Sequence, residues 1–412
     1  MTKNEYWFDK LNGVTPWGSG TCSKRARLLP EESAVIVRGN GCRVWDADGK
    51  EYIDYRNGIG PVTLGYCYNE VDEAIKRQLQ NGIIFGYPAP LESEVAERIC
   101  ALRPHFGMAK FLKTGGEANA AAIRIARGYT GKSHVIQVGY NGWLNSIARG
   151  ARILPGRKSA DAVPGVPPEM SVFHHIASYG DIAGAEALLD EFIGNVAAII
   201  VAASYSDFYR GDPYYKQLRI LCDAHKTLLI CDEIVTGFRY ALAGVSEFFG
   251  VESDLSVYAK GFANGMPISA VTGRKEVMAV CDIGGDVVVS STYAGELLSL
   301  AAAKATIDIF RRENVIGHMW TMGRSLCERA NGLFEMYGAP LAYEGAWPAM
   351  ALVEKEKAGP EDGEGPLNKF LRLSFKNGVA LYTQVYISLS HKKSDIDETL
   401  ERWESALKEI TR

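Results

Sequence analysis

The chain has 412 residues, 47% of them hydrophobic and 23% charged, and a formal net charge of -4. That length allows one large or two to three modest domains, and the charge balance lacks the basic footprint that a nucleic-acid partner requires. The opening MTKNEYWFDKLNG has no apolar signal core, no run of about 18 apolar residues offers a membrane span, and eight scattered cysteines without a CxxC pair suit a cytoplasmic, reducing setting.

In chain order, residues 34–55 (SAVIVRGNGCRVWDADGKEYID) alternate apolar and polar side chains and are broken at GNG and DADG. This is the pattern of a small antiparallel meander. From about 68 to 320, helical periodicity alternates with short apolar runs. Helices are predicted at 92–103 and 214–226, and strands at 134–139, 196–204 and 227–233. Apolar runs that do not alternate, separated by amphipathic helices, indicate a mainly parallel sheet covered on both faces. His174-His175 reads as an irregular segment at a strand end, and no HxxxH or HExxH spacing suggests a metal site. The tail returns to helix from about 305, then runs through a Gly/Pro/acid-rich loop at 356–366, a β-like stretch at 378–390 and a helix at 395–410. The expected fold class is α/β: a large domain over 66–310 with a mainly parallel mixed sheet, and a smaller α+β domain from 1–65 and 311–412.

Ligands of open parallel sheets gather at the carboxyl ends of the strands. TLLICDEIVTGF is such a strand, and Asp232 at its end is either a cap for the next segment of chain or the partner of a ligand cation. Lys260 comes after a second short segment, DLSVYAK, with Gly261, Gly265 and Pro267 to shape a tight backbone. An aspartate and a lysine at strand ends of one sheet are the two protein groups that pyridoxal phosphate chemistry demands. The amine condenses with the aldehyde, and the carboxylate keeps the pyridine nitrogen protonated. Thr114-Gly115-Gly116 stands directly before a strong helix pattern, where backbone N–H groups can hold a phosphate. Alone, that is an ordinary helix start; beside Asp232 and Lys260 it becomes a candidate phosphate site.

The segment LLICDEIVTGFRYALAGVSEFFGVESDLSVYAKGFANGMPISAVTGRKEVM (228–278) resembles the class III, fold type I aminotransferases that depend on pyridoxal phosphate. Within them it is most similar to the branch containing glutamate-1-semialdehyde aminomutase. GCRVWDADGKEYIDYRNGIGPVTLGY and SSTYAGELLSLAAAKATIDI extend the resemblance over most of the chain. It implies that Lys260 is the Schiff-base lysine and proton shuttle, that Asp232 pairs with the ring nitrogen, and that Ile234 covers one ring face. Tyr140, in GYNGW, is implied to stack on the other face and is counted with the catalytic set. Thr114, Gly115 and Gly116 are implied to bind phosphate, joined by Thr292 from across a homodimer interface that shares two active sites.

Three departures from the family pattern bear on substrate. Ala202 and Ala203 stand where a Glu-Pro is common, residues 382–397 contain no arginine to grip a substrate carboxylate, and Asn141 replaces the usual histidine. Lys392 and Lys393 do not substitute for a bidentate arginine. Arg25, Arg27 and Arg239 are alternative carboxylate partners, or simply a solvated basic run in the first two cases. The function implied is transfer of an amino group from a donor such as glutamate to an aldehyde or ketone, with an oxidised sugar or aminoglycoside precursor as one acceptor class. Two alternatives stay open: an aminomutase or epimerase at an amine-bearing carbon, and a catalytically silent protein that binds the cofactor. No nucleic acid, membrane or metal enters any of these readings.

Overall fold

The computed structural model describes residues 1–144, 165–355 and 365–410, so most of the loop predicted at 356–366 lies outside the described residues. The chain divides into two compact units, one of Met1–Asn69 with Gly317–Arg412 and the other of Glu70–Ile316.

In the first unit the helix Lys3–Val14 comes before the meander β1 (Ile36–Asn40), β2 (Arg43–Asp46) and β3 (Glu51–Asp54), paired antiparallel in chain order. The turns fall on the glycine-containing GNG and DADG, where Gly41 and Gly49 take positive φ.

The second unit is built on seven strands: β4 (Met108–Leu112), β5 (His134–Val138), β6 (His174–Ala177), β7 (Val196–Ala202), β8 (Leu228–Asp232), β9 (Leu255–Tyr258) and β10 (Ser269–Gly273). Their order is β4-β10-β9-β8-β7-β5-β6, with β5 to β9 mutually parallel and β10 antiparallel to both of its neighbours. β7 and β8 read VAAIIVA and LLICD and are buried nearly throughout, as strands covered on both faces must be. The helix Gly115–Thr130 covers one face, packing Ala118, Ala122, Ile125 and Ala126 with Val135, Ala198, Ile200, Ile230 and Val257. His174 and His175 differ from the sequence reading. They open β6 as regular strand residues, and the two rings His134 and His175 stack with Phe192 and share a hydrogen bond of 2.8 Å.

The remainder of the first unit adds β11 (Leu341–Ala346), β12 (Ala349–Glu354), β13 (Val379–Ala380) and β14 (Gln384–Tyr386). The β11–β12 hairpin was not anticipated, and the β-like 378–390 becomes two short strands because the chain changes sheets within it. β13 pairs parallel with β3, whereas β14 pairs antiparallel with β12. Trp403 of the last helix, Lys393–Ile410, is fully buried, with ring centroids 5.7 Å from Tyr343, 5.5 Å from Phe370 and 6.2 Å from Tyr55.

Candidate active site

The second unit brings the carboxyl end of β8 against the start of the helix Gly115–Thr130. That helix begins in a reciprocal capping box: Thr114 Oγ1 accepts from the Glu117 N–H at 3.2 Å, and Glu117 Oε2 accepts from the Thr114 N–H at 2.7 Å. The cap satisfies the third amide of the first turn. The N–H groups of Gly115 and Gly116 then have no acceptor among the described residues, as the first amides of a helix do not. Gly115 also permits close approach: a Cβ there would lie 2.5 Å from Ile234 Cδ1. Ser269, at the start of β10, donates to the Thr114 carbonyl at 2.8 Å and ties this turn to the strand that comes after the Lys260 segment.

Asp232 is buried at the end of β8. Its Oδ1 accepts from the Ile234 N–H at 3.1 Å, and its Oδ2 accepts from Asn119 Nδ2 at 2.7 Å and Asn141 Nδ2 at 3.1 Å. Burial raises its pKa; the two amides, the Ile234 N–H and the charge of Lys260 work in the other direction. It therefore does not act as a simple N-cap. That structural work falls to Glu233, which accepts from the Thr236 hydroxyl and from the N–H groups of Val245 at 2.8 Å and Ser246 at 2.9 Å.

Lys260 comes after β9 and opens a single helical turn, Lys260–Ala263. Its own φ is 50°, in the left-handed region that non-glycine residues seldom occupy outside functional sites. The pattern of glycines assigns the conformational burden to Gly261 and Gly265. Gly265 does take positive φ, but the others that do are Lys260 and Asn264, while Gly261 is simply buried. The Lys260 amine makes no hydrogen bond or ion pair with any described residue. Burial lowers its pKa to about 8, with Asp232 pulling upward and the buried Arg239 pushing further down. Arg239 is therefore an electrostatic neighbour of the lysine inside the protein rather than a surface clamp.

The other predicted positions are placed as follows. Tyr140 lies just beyond β5 and is 57% exposed, after Gly139, whose φ of 76° and close approach to the Ala202 carbonyl demand glycine. Thr292 is exposed in a turn before the helix Leu297–Arg312, and its hydroxyl makes no hydrogen bond among the described residues. The structure does not join it to Lys260 or Asp232. Arg25 lies 5.5 Å from the Trp17 ring and Arg27 donates to the Cys22 carbonyl at 3.3 Å. Lys392 donates to the Leu389 carbonyl at 2.8 Å and Lys393 pairs with Asp397 at 2.9 Å. Sequence reasoning missed Asn119. The available signal was a polar side chain at i+4 from Gly115 on an otherwise Ala/Ile-rich helix. Among the described residues no cluster of His, Cys, Asp or Glu could hold a metal ion.

The donor set fits pyridoxal phosphate on this chain's own geometry. An amine with no hydrogen-bond partner among the described residues and a buried carboxylate held by uncharged amides provide for an aldehyde and a protonated ring nitrogen, and two unpaired helix amides provide for a phosphate. Comparison with known proteins agrees. The sequence profile of the aminotransferase class-III family matches residues 27–407. Glutamate-1-semialdehyde 2,1-aminomutase of Persephonella marina is 32% identical over 100% of this chain and 99% of its own length. The enzyme of the same name from Acetivibrio thermocellus is 30% identical over 98% and 97%. A solved transaminase with PLP bound superposes with a TM-score of 0.89 at 24% identity, covering 99% of this chain and 98% of the other. The FumI protein of a Sphingopyxis species, solved in its PLP internal aldimine form, gives a TM-score of 0.87 at 24% identity, over 99% and 96%. The fold is thus fold type I, and the chain belongs to the class-III aminotransferases, enzymes that depend on pyridoxal phosphate.

Proposed function

We propose that this chain moves an amino group from a donor amine such as glutamate to an aldehyde or ketone. The observation that carries this reading is the unpaired Lys260 amine within electrostatic reach of a buried Asp232 whose hydrogen-bond partners are all uncharged. Pyridoxal phosphate, when bound, supplies an electron-accepting ring that makes a proton on the amine-bearing carbon removable. With the cofactor bound, the Lys260 Nζ, whose pKa burial lowers to about 8, would take up that proton and give it back as a base poised near neutral pH. Asp232 holds a proton at the ring nitrogen. Gly115 and Gly116 bind the phosphate through their N–H groups, with Thr114 fixing that turn. Ile234 and Tyr140 would cover the ring.

The acceptor we propose is a neutral or polyhydroxylated carbonyl compound, such as an oxidised sugar or aminoglycoside precursor. Ala202 at the end of β7 and the arginine-free 382–397 support it, since neither offers a carboxylate clamp or its mask. A homodimer completes the picture, with Thr292 serving the phosphate of a second copy. Exposed Phe85, Tyr87, Trp143, Ile283 and Tyr293 in this unit support such an interface. All eight cysteines are free, which supports a cytoplasmic setting, and no helix among the described residues is long and apolar enough to cross a membrane. A second reading, an aminomutase, is favoured by the names of the relatives with 30–32% identity.

Adding amines one at a time to the cofactor-loaded protein and following both visible absorbance and released carbonyl product tests this. A donor that discharges the cofactor stoichiometrically, with regain of absorbance on adding a second carbonyl compound, supports transfer. Isomerisation of a single substrate with no donor requirement overturns it in favour of the mutase.

A further inference from the structure

We propose that Asn119 and Asn141 are positioning residues that form a non-ionising clamp on Asp232, aiming the carboxylate at the cofactor's ring nitrogen and reserving its charge for that contact across neutral pH. The inference rests on the pyridoxal phosphate reading above and concerns how this particular chain achieves it.

Three hydrogen bonds define the clamp. Asn119 Nδ2 donates to Asp232 Oδ2 at 2.7 Å and to the Asn141 carbonyl at 2.8 Å, and Asn141 Nδ2 donates to the same Asp232 oxygen at 3.1 Å. Oδ1 is held separately by the Ile234 N–H. Asn119 lies one helical turn beyond Gly115, so the helix that presents the two free glycine amides also fixes the carboxylate.

The orientation of both amides is forced, because only an NH2 group can donate to a carboxylate. Each amide oxygen is thereby turned away, and both Asn119 Oδ1 and Asn141 Oδ1 are buried without a partner. Buried acceptors left unpaired oppose folding, and a pair that served packing alone would do better as apolar side chains. The arrangement makes sense if the carboxylate must stay ionised and aimed.

The charged groups facing this centre are few. The cations are Arg239 and Lys260; the Lys260 amine titrates near pH 8 while it is free, and in the holoenzyme used for the test it would be committed to the cofactor's aldehyde. Glu233 is turned to Thr236, Val245 and Ser246, and the nearby Tyr215 and Cys231 are pushed far above their ordinary pKa by burial and remain neutral. With asparagine at 141, where a histidine is usual in the family, no titrating ring touches Asp232. The clamp therefore has the same charge and the same donors throughout the neutral range.

The test uses the holoenzyme loaded with cofactor carrying nitrogen-15 in its ring, whose chemical shift reports ring protonation directly. Wild type is expected to keep one protonated ring-nitrogen shift from about pH 6 to 9, the range in which a histidine would titrate. Asn141→Leu and Asn119→Leu should move that shift toward the unprotonated value and weaken cofactor binding by about tenfold or more, the loss of one hydrogen bond to a charged group. Asn141→His keeps a donor and a polar side chain. It should restore binding while adding a pH-dependent step to the ring-nitrogen shift with a midpoint between about 5 and 8. If both leucine variants keep the wild-type shift and dissociation constant, or if Asn141→His adds no such step, the clamp is refuted. Asp232→Asn is the separate control. If it leaves the ring nitrogen protonated, the assignment of Asp232 itself has failed, whatever the asparagines do.

Discussion

The amine of Lys260 should titrate near pH 8 instead of at the ordinary 10.5. The difference is large enough to measure on one residue in the cofactor-free protein. At pH 7 a group of pKa 8 is about 9% neutral, whereas one of pKa 10.5 is about 0.03% neutral, so Lys260 should carry roughly 300 times more reactive amine than an ordinary lysine. Competitive labelling with a trace of acetic anhydride between pH 6 and 11, read peptide by peptide by mass spectrometry, yields the midpoint for Lys260 against an internal-standard amine. The causes carry opposite signs, which makes the test two-sided. Asp232 raises the pKa, so Asp232→Asn should move the midpoint below 8; Arg239 lowers it, so Arg239→Leu should move it upward. The linkage has the same sign. The folded pKa lies below the unfolded one, so the protonated amine opposes folding fully below about pH 8, and that penalty disappears as pH rises through 10.5. A wild-type midpoint at 10 or above, or shifts of the wrong sign in the two variants, would refute the reasoning.

Other substitutions separate framework from site. Glu233→Ala leaves the Val245 and Ser246 N–H groups and the Thr236 hydroxyl without their acceptor in a buried location, and should cost about 3 kcal/mol or more in chemical denaturation. Gly115→Val places a Cβ 2.5 Å from Ile234 Cδ1 and should cost about 1–3 kcal/mol through overpacking. Its effect on cofactor affinity, read by fluorescence titration, should be the larger one, because the side chain intrudes at the unpaired amides proposed to hold the phosphate. Trp403→Ala empties a stacked cluster in the other unit and should cost about 3–5 kcal/mol in thermal unfolding.

The sequence was most legible where chemistry and local geometry coincide. Asp232 ends a buried strand, Thr114 caps a helix that starts with two glycines, and both features obey short-range rules that can be applied residue by residue. The meander was legible for the same reason, since its turns are written in glycine and aspartate. The hidden features depend on contacts far apart in the chain. Asn119 and Asn141 meet at Asp232 across 113 and 91 residues; the local pattern marks Asn119 only as a polar side chain on an Ala/Ile-rich helix, and nothing local says which distant group it meets. The left-handed φ of Lys260 left no trace either, because the residue is dictated by its amine and the conformation is imposed by its surroundings. In the tail, 378–390 looked like one strand because its apolar content is continuous, yet the chain crosses from β3 to β12 partway along it.

The most direct measurement of the central claim is the location of the cofactor's covalent bond. The protein loaded with pyridoxal phosphate is reduced with borohydride, digested and mapped by mass spectrometry. A single pyridoxyl group on Lys260 is the predicted result, lost in Lys260→Ala. A pyridoxyl group on another lysine, or none in a protein that still binds the cofactor, would contradict the account.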